Sequence, residues 1–218
     1  ELVNATIAGI EQADALLIVG ANPRREAPVL NARIRKRWRM GDFPIGVVGE
    51  VGDLRYEYEM LGAGAESLIR VGSCGSLQEK VKIGDLVIVT GAVRGEGTSP
   101  YYVPQNFSTV ADPGIVGALK QAADSLNVRS HLGWIFTTDA LFQETPELIH
   151  QLNQQNVSSI DMVTSTFLTI AQVRKKKAGA ILAVSDECLN GKFGFRDPRF
   201  FAAEEKIVAV ACKALQYL

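Results

Sequence analysis

Cysteine and histidine are scarce in this sequence, which has three cysteines and two histidines among 218 residues. Cys74, Cys188 and Cys212 lie far apart and form no CxxC pair, so we expect reduced thiols and neither a disulfide framework nor a zinc site. His131 and His150 are isolated from one another and from any cluster of carboxylates. We therefore expect both to be structural and predict that the protein binds no metal.

A large net charge and a long apolar run are also missing. The formal net charge is −1, so bulk electrostatics gives no reason to expect nucleic acid as a partner. No apolar run approaches the roughly 18 residues of a membrane-spanning helix, which predicts no membrane association. Residues 1–4 lack the basic and apolar regions of a signal peptide. The composition, with 47% hydrophobic residues, is that of a globular protein, for which the cytoplasm is the expected location.

Apolar strand-like runs alternate with helical patterns along the whole chain. A strand at 15–20, a helix at 26–40 and a strand at 45–48 form a predicted βαβ unit, which implies a parallel connection. Further helices are predicted at 54–61, 113–127, 146–155, 164–177 and 198–218, strands at 69–77, 81–89, 131–137 and 180–184, and a pocket loop at 95–104. The alternation predicts a three-layer αβα architecture with a central, mostly parallel or mixed sheet.

Basic residues cluster on the helix predicted at 26–40. Ile34 and Trp38 lie on or near its apolar side, whereas Arg and Lys occupy positions 33, 35, 36, 37 and 39. Such a cluster could contact phosphate or a partner subunit, or it could be a solvated helix face. Both interpretations stay open on the sequence alone.

The segment 69–77 carries the main functional signal. Side chains alternate along a strand, so Arg70 points away from the face that its apolar neighbours occupy. Gly72 and Gly75 allow the backbone to approach a ligand closely, and Ser73 adds a hydroxyl. These groups favour an anion site, with phosphate as ligand, at the carboxyl end of a strand. The alternative is an ordinary turn beside a half-buried structural cation.

Later polar residues could complete such a site. Asp186 is expected just beyond the last strand, where it could act chemically or cap a helix. Asp161 and Met162 open a helix and could bind a sugar, although a cap is again the alternative. Arg196 and Arg199 could pair with Asp186 or lie on the surface.

Five segments together resemble a known family. They are IRVGSCGSL at 69–77, KIGDLVIVTGAVRGEGTS at 82–99, TTDALF at 137–142, IDMVTSTFLTIA at 160–171 and AGAILAVSDE at 178–187. Residues 64–218 thereby resemble the purine nucleoside and uridine phosphorylases of the nucleoside phosphorylase superfamily. The resemblance implies a nucleoside phosphorylase-like fold over one α/β domain, 1–218, and a homo-oligomer. It also implies reversible cleavage of a nucleoside by inorganic phosphate.

The resemblance implies roles for particular residues. Arg70 and Ser73 would hold the phosphate, the backbone at Cys74 and Gly75 would line the base and sugar, and Phe142 would pack against either. Asp161 and Met162 would lie at the sugar, and Asp186 would protonate a purine base at N7, assisted by Arg199. Phosphate would be a co-substrate, and neither a metal nor another cofactor would be needed.

The chain departs from the family at two positions. The helix-opening motif of the family reads Glu-Met-Glu, and its second glutamate grips the ribose hydroxyls, whereas this chain has Val163 there. A valine side chain accepts no hydrogen bond. The Gln-x-x-Arg pattern that uridine phosphorylases use is also missing near residues 142–144. Together with Asp186, that absence favours a purine.

Residues 1–64 carry a different resemblance. NATIAGIEQADALLIVGANPRREAPVLNARIRKRW and VVGEVGDLRYEYEMLG are similar to part of the large iron-sulfur subunit of respiratory complex I, but contain no cysteine cluster. The family start would instead be a GDPxR phosphate loop, which the segment from Gly20 to Arg24 resembles, so these two residues could also serve the phosphate. The chain thus looks like a fusion of 1–64 and 65–218, joined near 62–66.

Three functions follow from these patterns. The first is a nucleoside phosphorylase acting on purine nucleosides. The second is a catalytically impaired chimeric scaffold that keeps the α/β fold and at most an anion site. The third is a protein-interaction module that acts through the complex I-like segment.

Overall fold

The computed structural model describes residues 9–50, 52–62, 64–194 and 196–218. The chain divides into two compact units, Glu1–Glu66 and Ser67–Leu218, and the boundary falls at the junction expected near residues 62–66. The expectation about a signal peptide concerns residues 1–4, which lie outside the described residues. The single domain implied by the resemblance stays a prediction.

The first unit is a small parallel sheet covered by helices on one face. Its elements are β1 (Leu16–Val19), α1 (Pro23–Glu26), α2 (Pro28–Trp38), β2 (Ile45–Val48) and β3 (Glu59–Gly62). β1 pairs with β2 and β2 with β3, all in parallel, so the expected βαβ unit forms. Its core combines Ile18 and Val47 from the sheet with Ile34 from α2.

One prediction for this unit is wrong: the helix expected at 54–61 is absent from the described residues, and the chain there enters β3 instead. The helix expected at 26–40 forms as α2 over Pro28–Trp38. The short helix α1 precedes it as a separate element, because the pyrrolidine ring of Pro28 disfavours helical dihedrals at the preceding residue. Ala27 accordingly has φ −144° and ψ 69° and separates α1 from α2.

The second unit alternates strands and helices as the sequence predicts. Its elements are β4 (Ser67–Ser76), β5 (Leu86–Gly95), β6 (Thr109–Val110), α3 (Pro113–Ser125), β7 (Ser130–Thr138), α4 (Pro146–Gln154), β8 (Ser159–Asp161), α5 (Thr164–Val173), β9 (Lys177–Glu187), β10 (Lys192–Phe193) and α6 (Pro198–Ala214). Within the described ranges, no helix has both the length and the apolar character to cross a membrane.

The sheet of this unit is mixed and closes on itself. Its strand order is β10-β9-β4-β8-β7-β5-β6, and β5 also pairs with β9. β4 runs parallel to β9, and β7 parallel to β5 and β8, whereas β5 is antiparallel to β9 and β4 antiparallel to β8. The five strands β4, β8, β7, β5 and β9 therefore form a closed ring, which brings residues from distant parts of the sequence together.

Helices pack on both sides of the closed sheet. On one side, Ile181 of β9 and Ile88 of β5 contact α3 and α6. On the other, Leu182 of β9 and Val87 of β5 pack with α5. Strands buried on both faces read as continuous apolar runs, which is why 86–89 and 180–184 contain no polar residue. The predicted three-layer α/β class is confirmed.

Candidate functional site

Arg70 lies within β4, and its guanidinium is held by a buried carboxylate. Its Nη2 is 3.3 Å from Oδ2 of Asp161, and the two side chains are 15% and 2% exposed. The guanidinium lies over Gly72, where a Cβ would come within 3.0 Å of Nη1. A side chain at position 72 would therefore press on the guanidinium and displace it. Nη1 is buried and, among the described residues, has no hydrogen-bond partner.

Asp161 connects Arg70 to two neighbouring elements. Thr137, at the end of β7, donates to Asp161 Oδ1 at 2.7 Å, and the backbone N–H of Thr164 donates to Oδ2 at 3.0 Å. The hydroxyl of Thr164 donates to the same oxygen at 2.5 Å. Asp161 thus satisfies the first turn of α5 and orients Arg70. The predicted contact of Asp161 with a sugar stays a prediction.

The glycine-rich carboxyl end of β4 pairs with the carboxyl end of β9. Gly75 pairs with Asp186 of β9 on one side and with Ile160 of β8 on the other. Ser73 is exposed, whereas the neighbouring Cys74 is buried. Burial raises the pKa of the Cys74 thiol far above its ordinary range, and the charge of Asp161 adds to this effect.

Asp186 lies inside β9, not beyond it. Its Oδ2 accepts a hydrogen bond of 2.5 Å from Ser185, and its Oδ1 accepts one of 3.0 Å from the N–H of Gly194. β9 continues through Glu187 and pairs with β10, so the expectation of a strand end and the alternative of a helix cap are both wrong. The hydrogen bonds hold the half-buried carboxyl at the edge of the sheet.

Glu144 is a functional candidate that the sequence interpretation missed. Burial raises its pKa above the ordinary value, and the charge of Asp186 raises it further. Burial also raises the pKa of Cys188 to about 12, with added contributions from Glu144 and Asp186. Two carboxyl groups and a thiol therefore lie close together. The sequence did not indicate a role for Glu144, because the residues around it form no recognisable motif.

The remaining predicted residues lie on the surface. Arg199 bonds Asp197 through Nε and Nη2 at 3.0 and 2.6 Å, and its side chain is 63% exposed. Arg196 is exposed as well. Phe142 and Met162 are 97% and 45% exposed. Assistance of Asp186 by Arg199 and contacts of Phe142 and Met162 with substrate stay predictions.

Gly20 and Arg24 belong to the first unit. Gly20 directly follows β1 and has a left-handed backbone, φ 63°, and its N–H donates to the carbonyl of Val48. Arg24 forms an ion pair of 2.6 Å with Asp53. Their contribution to a phosphate site stays a prediction. Across the described ranges, no group of three or more His, Cys, Asp and Glu residues is placed to hold a metal ion.

Glu96 anchors the loop that follows β5. This carboxylate is 7% exposed and accepts hydrogen bonds from the N–H groups of Thr98 and Ser99 and from both serine hydroxyls, Ser99 and Ser165. The N–H of Ser165 in turn donates to Thr137, which binds Asp161. A continuous chain of hydrogen bonds therefore links the loop to Arg70. The sequence interpretation placed a loop at 95–104 but did not identify this anchor.

Replacing Glu96 by glutamine is expected to destabilise the protein by about 2 kcal/mol at pH 7, because an amide nitrogen would face backbone donors. Burial raises the pKa of Glu96, but the hydrogen bonds from Ser99, Ser165 and Thr98 outweigh it and set the value at about 2. A lowered pKa stabilises the fold above the unfolded pKa, and this stabilisation is lost as the pH falls from about 4.5 to 2. The difference between wild type and variant should therefore shrink over that range.

Urea titrations at several pH values measure this difference. A Glu204→Gln variant, altered on the exposed side of α6, is the matched control and should track the wild type at every pH. A constant difference between wild type and the Glu96 variant from pH 7 to 3 would contradict a charged Glu96.

The chain is similar in sequence and fold to known proteins. The sequence profile of the Phosphorylase superfamily matches residues 45–216. The chain is 35% identical over 173 residues to a uridine phosphorylase of Thermococcus kodakarensis, covering 73% of this chain and 60% of that protein. The crystal structure of a purine nucleoside phosphorylase from Toxoplasma gondii in complex with immucillin-H has the same fold, with a TM-score of 0.64 and 24% identity, covering 92% of this chain and 89% of that one.

A second similarity leads outside the phosphorylases. The chain is 31% identical over 177 residues to the mitochondrial NADH-ubiquinone oxidoreductase 78 kDa subunit of Neurospora crassa, covering 77% of this chain and 24% of that subunit. This resemblance was expected for residues 1–64 and extends beyond them. The chain spans between 54% and 60% of the length of the first three phosphorylases that it matches.

Proposed function

The chain belongs to the phosphorylase superfamily, and on that basis we propose that it is a nucleoside phosphorylase, which cleaves a purine nucleoside with inorganic phosphate into free base and pentose 1-phosphate. Phosphate attacks the anomeric carbon, the glycosidic bond breaks, and the base leaves with a proton. Positive charge develops on the sugar and negative charge on the base. The residues described above are proposed to stabilise these two ends.

The observation that carries the proposal is the state of Arg70. Asp161 fixes one guanidinium nitrogen, and the other, Nη1, is buried without a partner among the described residues. A buried donor of this kind is costly unless a ligand satisfies it. An arginine matches phosphate oxygens in charge and geometry. Ser73 supplies an exposed hydroxyl in the same strand, and the absence of a side chain at Gly72 leaves room for the guanidinium of Arg70.

We assign the protonation of the leaving base to Asp186. Its register opposite Gly75 puts it beside the glycine-rich segment that carries Ser73. Burial raises the pKa of Glu144, and the charge of Asp186 raises it further, so a carboxyl group that favours its protonated form lies near Asp186. We propose that Asp186 passes a proton to the leaving base. Preference for a purine rests on Asp186 and on the missing Gln-x-x-Arg pattern, and relatives of both kinds exist.

Further parts of the proposal concern the assembly and its surroundings. We propose that phosphate is a co-substrate and that no metal or organic cofactor takes part, because acid catalysis and phosphate binding suffice for this reaction. A cytoplasmic homo-oligomer is proposed from the family resemblance.

The second candidate function is a catalytically impaired scaffold. One observation favours it: Val163 stands at the start of α5, 47% exposed, where the family motif implied by the resemblance has a glutamate. The fold and the anion site would then persist without turnover.

The proposal predicts phosphate-dependent release of base from inosine or adenosine in preference to uridine. Replacing Asp186 by asparagine should lower kcat about a hundredfold, because an amide cannot donate the proton that the leaving base needs. Product formation is followed by chromatography with and without phosphate. Asp124→Asn, an exposed carboxylate on α3, is the control and should leave kcat unchanged.

Two results would overturn the enzyme proposal. One is the absence of release from all three nucleosides by a protein that circular dichroism shows to be folded. The other is release that proceeds equally without phosphate, which would indicate hydrolysis.

A further inference from the structure

A groove of about 580 Å³ lies in the first unit, between α1, α2 and the segment before β3. Five of its eight lining side chains are cationic, and none is acidic: Arg24, Arg35, Lys36, Arg39 and Arg55. The other lining residues are Pro28, Asn31 and Ala32. This volume lies within the range of small-molecule sites, roughly 300–1,000 Å³.

The positive charge of the groove does not reflect the composition of its surroundings. Residues 1–66 contain eight Arg and Lys against ten Asp and Glu, so this part of the chain is acidic as a whole. Cations are nevertheless concentrated in one concave surface, where the field of several like charges adds. Close like charges repel one another, and the two carboxylates that contact these cations, Asp53 and Glu11, offset only part of the five positive charges.

The five cations differ in whether they have an ion-pair partner. Arg24 and Arg55 share the carboxylate of Asp53, at 2.6 and 3.0 Å. Lys36 pairs with Glu11. In the part of the chain that the structure describes, neither Arg35 nor Arg39 has an ion-pair or side-chain hydrogen-bond partner. Arg35 lies in the last turn of α2 and Arg39 directly follows that helix, four positions on, so both can reach one extended anion.

The dipole of α2 explains only part of this arrangement. Cations are stabilised near a helix C-terminus, and that effect covers Arg35, Lys36 and Arg39. It does not account for Arg24 and Arg55, which come from other segments. Asp53 orients both of them: it accepts from Arg24 Nη1, and its Oδ1 accepts from the backbone N–H of Arg55 at 3.0 Å. Arg55 has a left-handed backbone, φ 69°, which arginine rarely adopts.

We propose that this groove is a binding site for an oligophosphate chain, either free or as part of a nucleoside triphosphate. Guanidinium groups bind phosphate oxygens in pairs, and four of the five cations are arginines. Cations supplied by α1, by α2 and by the loop at 53–55 surround a ligand that carries several adjacent charges. The site uses none of Arg70, Ser73 or Asp186. Arg24 lines it and is also a predicted contributor to the phosphate site, so the variants that test the groove leave Arg24 unchanged.

Isothermal titration of the full chain with inorganic tripolyphosphate, without divalent cations, tests this site. Replacing Arg35 and Arg39 together by alanine should weaken binding at least tenfold, because the two unpaired guanidinium groups are lost. The matched control removes the same charge elsewhere: Arg25→Ala with Lys206→Ala, both exposed and outside the groove. The control should bind as the wild type does. Binding should also weaken as salt is raised, since the groove is open to solvent.

Further arms identify the source of the phosphate chain and separate this site from Arg70. An Arg70→Gln variant should keep its affinity for tripolyphosphate. Adenosine triphosphate that binds more tightly than tripolyphosphate would indicate a nucleotide site, whereas equal affinity would indicate recognition of the phosphate chain alone. No binding of tripolyphosphate, equal weakening in the control, loss of binding in the Arg70 variant, or binding of duplex DNA alone would each overturn the proposal.

Discussion

Replacing Arg70 by glutamine should lower kcat/KM for phosphate about a thousandfold, which corresponds to roughly 4 kcal/mol of lost transition-state stabilisation. A glutamine amide can still donate a hydrogen bond to Asp161. It cannot carry the positive charge, nor present two donors to a phosphate. The substitution therefore removes the ligand interaction while it leaves the carboxylate of Asp161 with a donor.

Stability has to be separated from binding in this experiment, because Arg70 faces a buried carboxylate. Removing one partner of a buried ion pair is destabilising by itself. Asp161 keeps the hydrogen bonds from Thr137 and Thr164, which limits that loss. Initial rates over a range of phosphate concentrations, together with thermal unfolding, distinguish the two effects.

The matched control is Arg129→Gln. Arg129 Nε lies 3.3 Å from the buried carboxylate of Asp85, the separation that Arg70 and Asp161 also show. Arg129 precedes β7, whereas Arg70 lies within β4. Its side chain is 65% exposed. The control should keep its activity. Equal loss of phosphate-dependent activity in both variants would mean that Arg70 acts through stability alone.

Local patterns in the sequence determine much of the second unit. The runs at 86–89 and 180–184 are apolar without interruption because both faces of the strands are buried. Asp112, Thr145 and Asp197 cap α3, α4 and α6, and each is followed by a proline at the first helical position. The helix starts at 113, 146 and 198 were predictable for that reason.

Sequence patterns fail where long-range pairing decides the structure. Residues 54–61 have helical spacing, yet the end of this segment adds a third strand beside β2. Pairing with a neighbouring strand overrides local propensity there. Similarly, β9 reaches Glu187 because β4 and β10 pair with its last residues, which places Asp186 within the strand. Neither partner can be read from the local sequence.

The candidate site was predictable in part. Alternation along 69–77 and the glycine at 72 pointed to Arg70, because a strand residue between apolar neighbours must face the other way. Glu96 and Glu144 could not be found in the same way. Their significance comes from Ser165 and Asp186, which are 69 and 42 positions away in sequence, and only the closed sheet brings these pairs together.

The two compact units differ in their sheets and cores. The unit Glu1–Glu66 has its own parallel sheet and its own core, and the unit Ser67–Leu218 has a closed mixed sheet. Each unit therefore has the apolar contacts that a separate folding unit needs. Arg70, Ser73 and Asp186 all belong to the second unit, so the chemistry proposed for them depends on that unit first.

Replacing Val163 by glutamate is expected to raise kcat/KM for a purine nucleoside about 150-fold. The resemblance to nucleoside phosphorylases implies that a glutamate at this position grips the ribose hydroxyls. Two hydrogen bonds to a charged group, each worth at least about 1.5 kcal/mol, account for a gain of this size. The position tolerates the change, because Val163 is 47% exposed and precedes the N-terminus of α5, where a negative charge is favourable.

Val173→Glu is the matched control for this gain. It makes the same substitution at the other end of α5, at a side chain of similar exposure, 43%, and there the charge opposes the helix dipole. The rate with inosine should rise in the Val163 variant only. A rise in kcat/KM without a change in phosphate affinity would show that weak binding of the sugar limits the wild-type protein. It would also show that phosphate binding at Arg70 does not depend on residue 163. A folded Val163→Glu protein that is no faster than the wild type would show that this valine does not limit turnover. If both the wild type and the Val163→Glu variant were inactive, the result would favour the impaired scaffold over the enzyme.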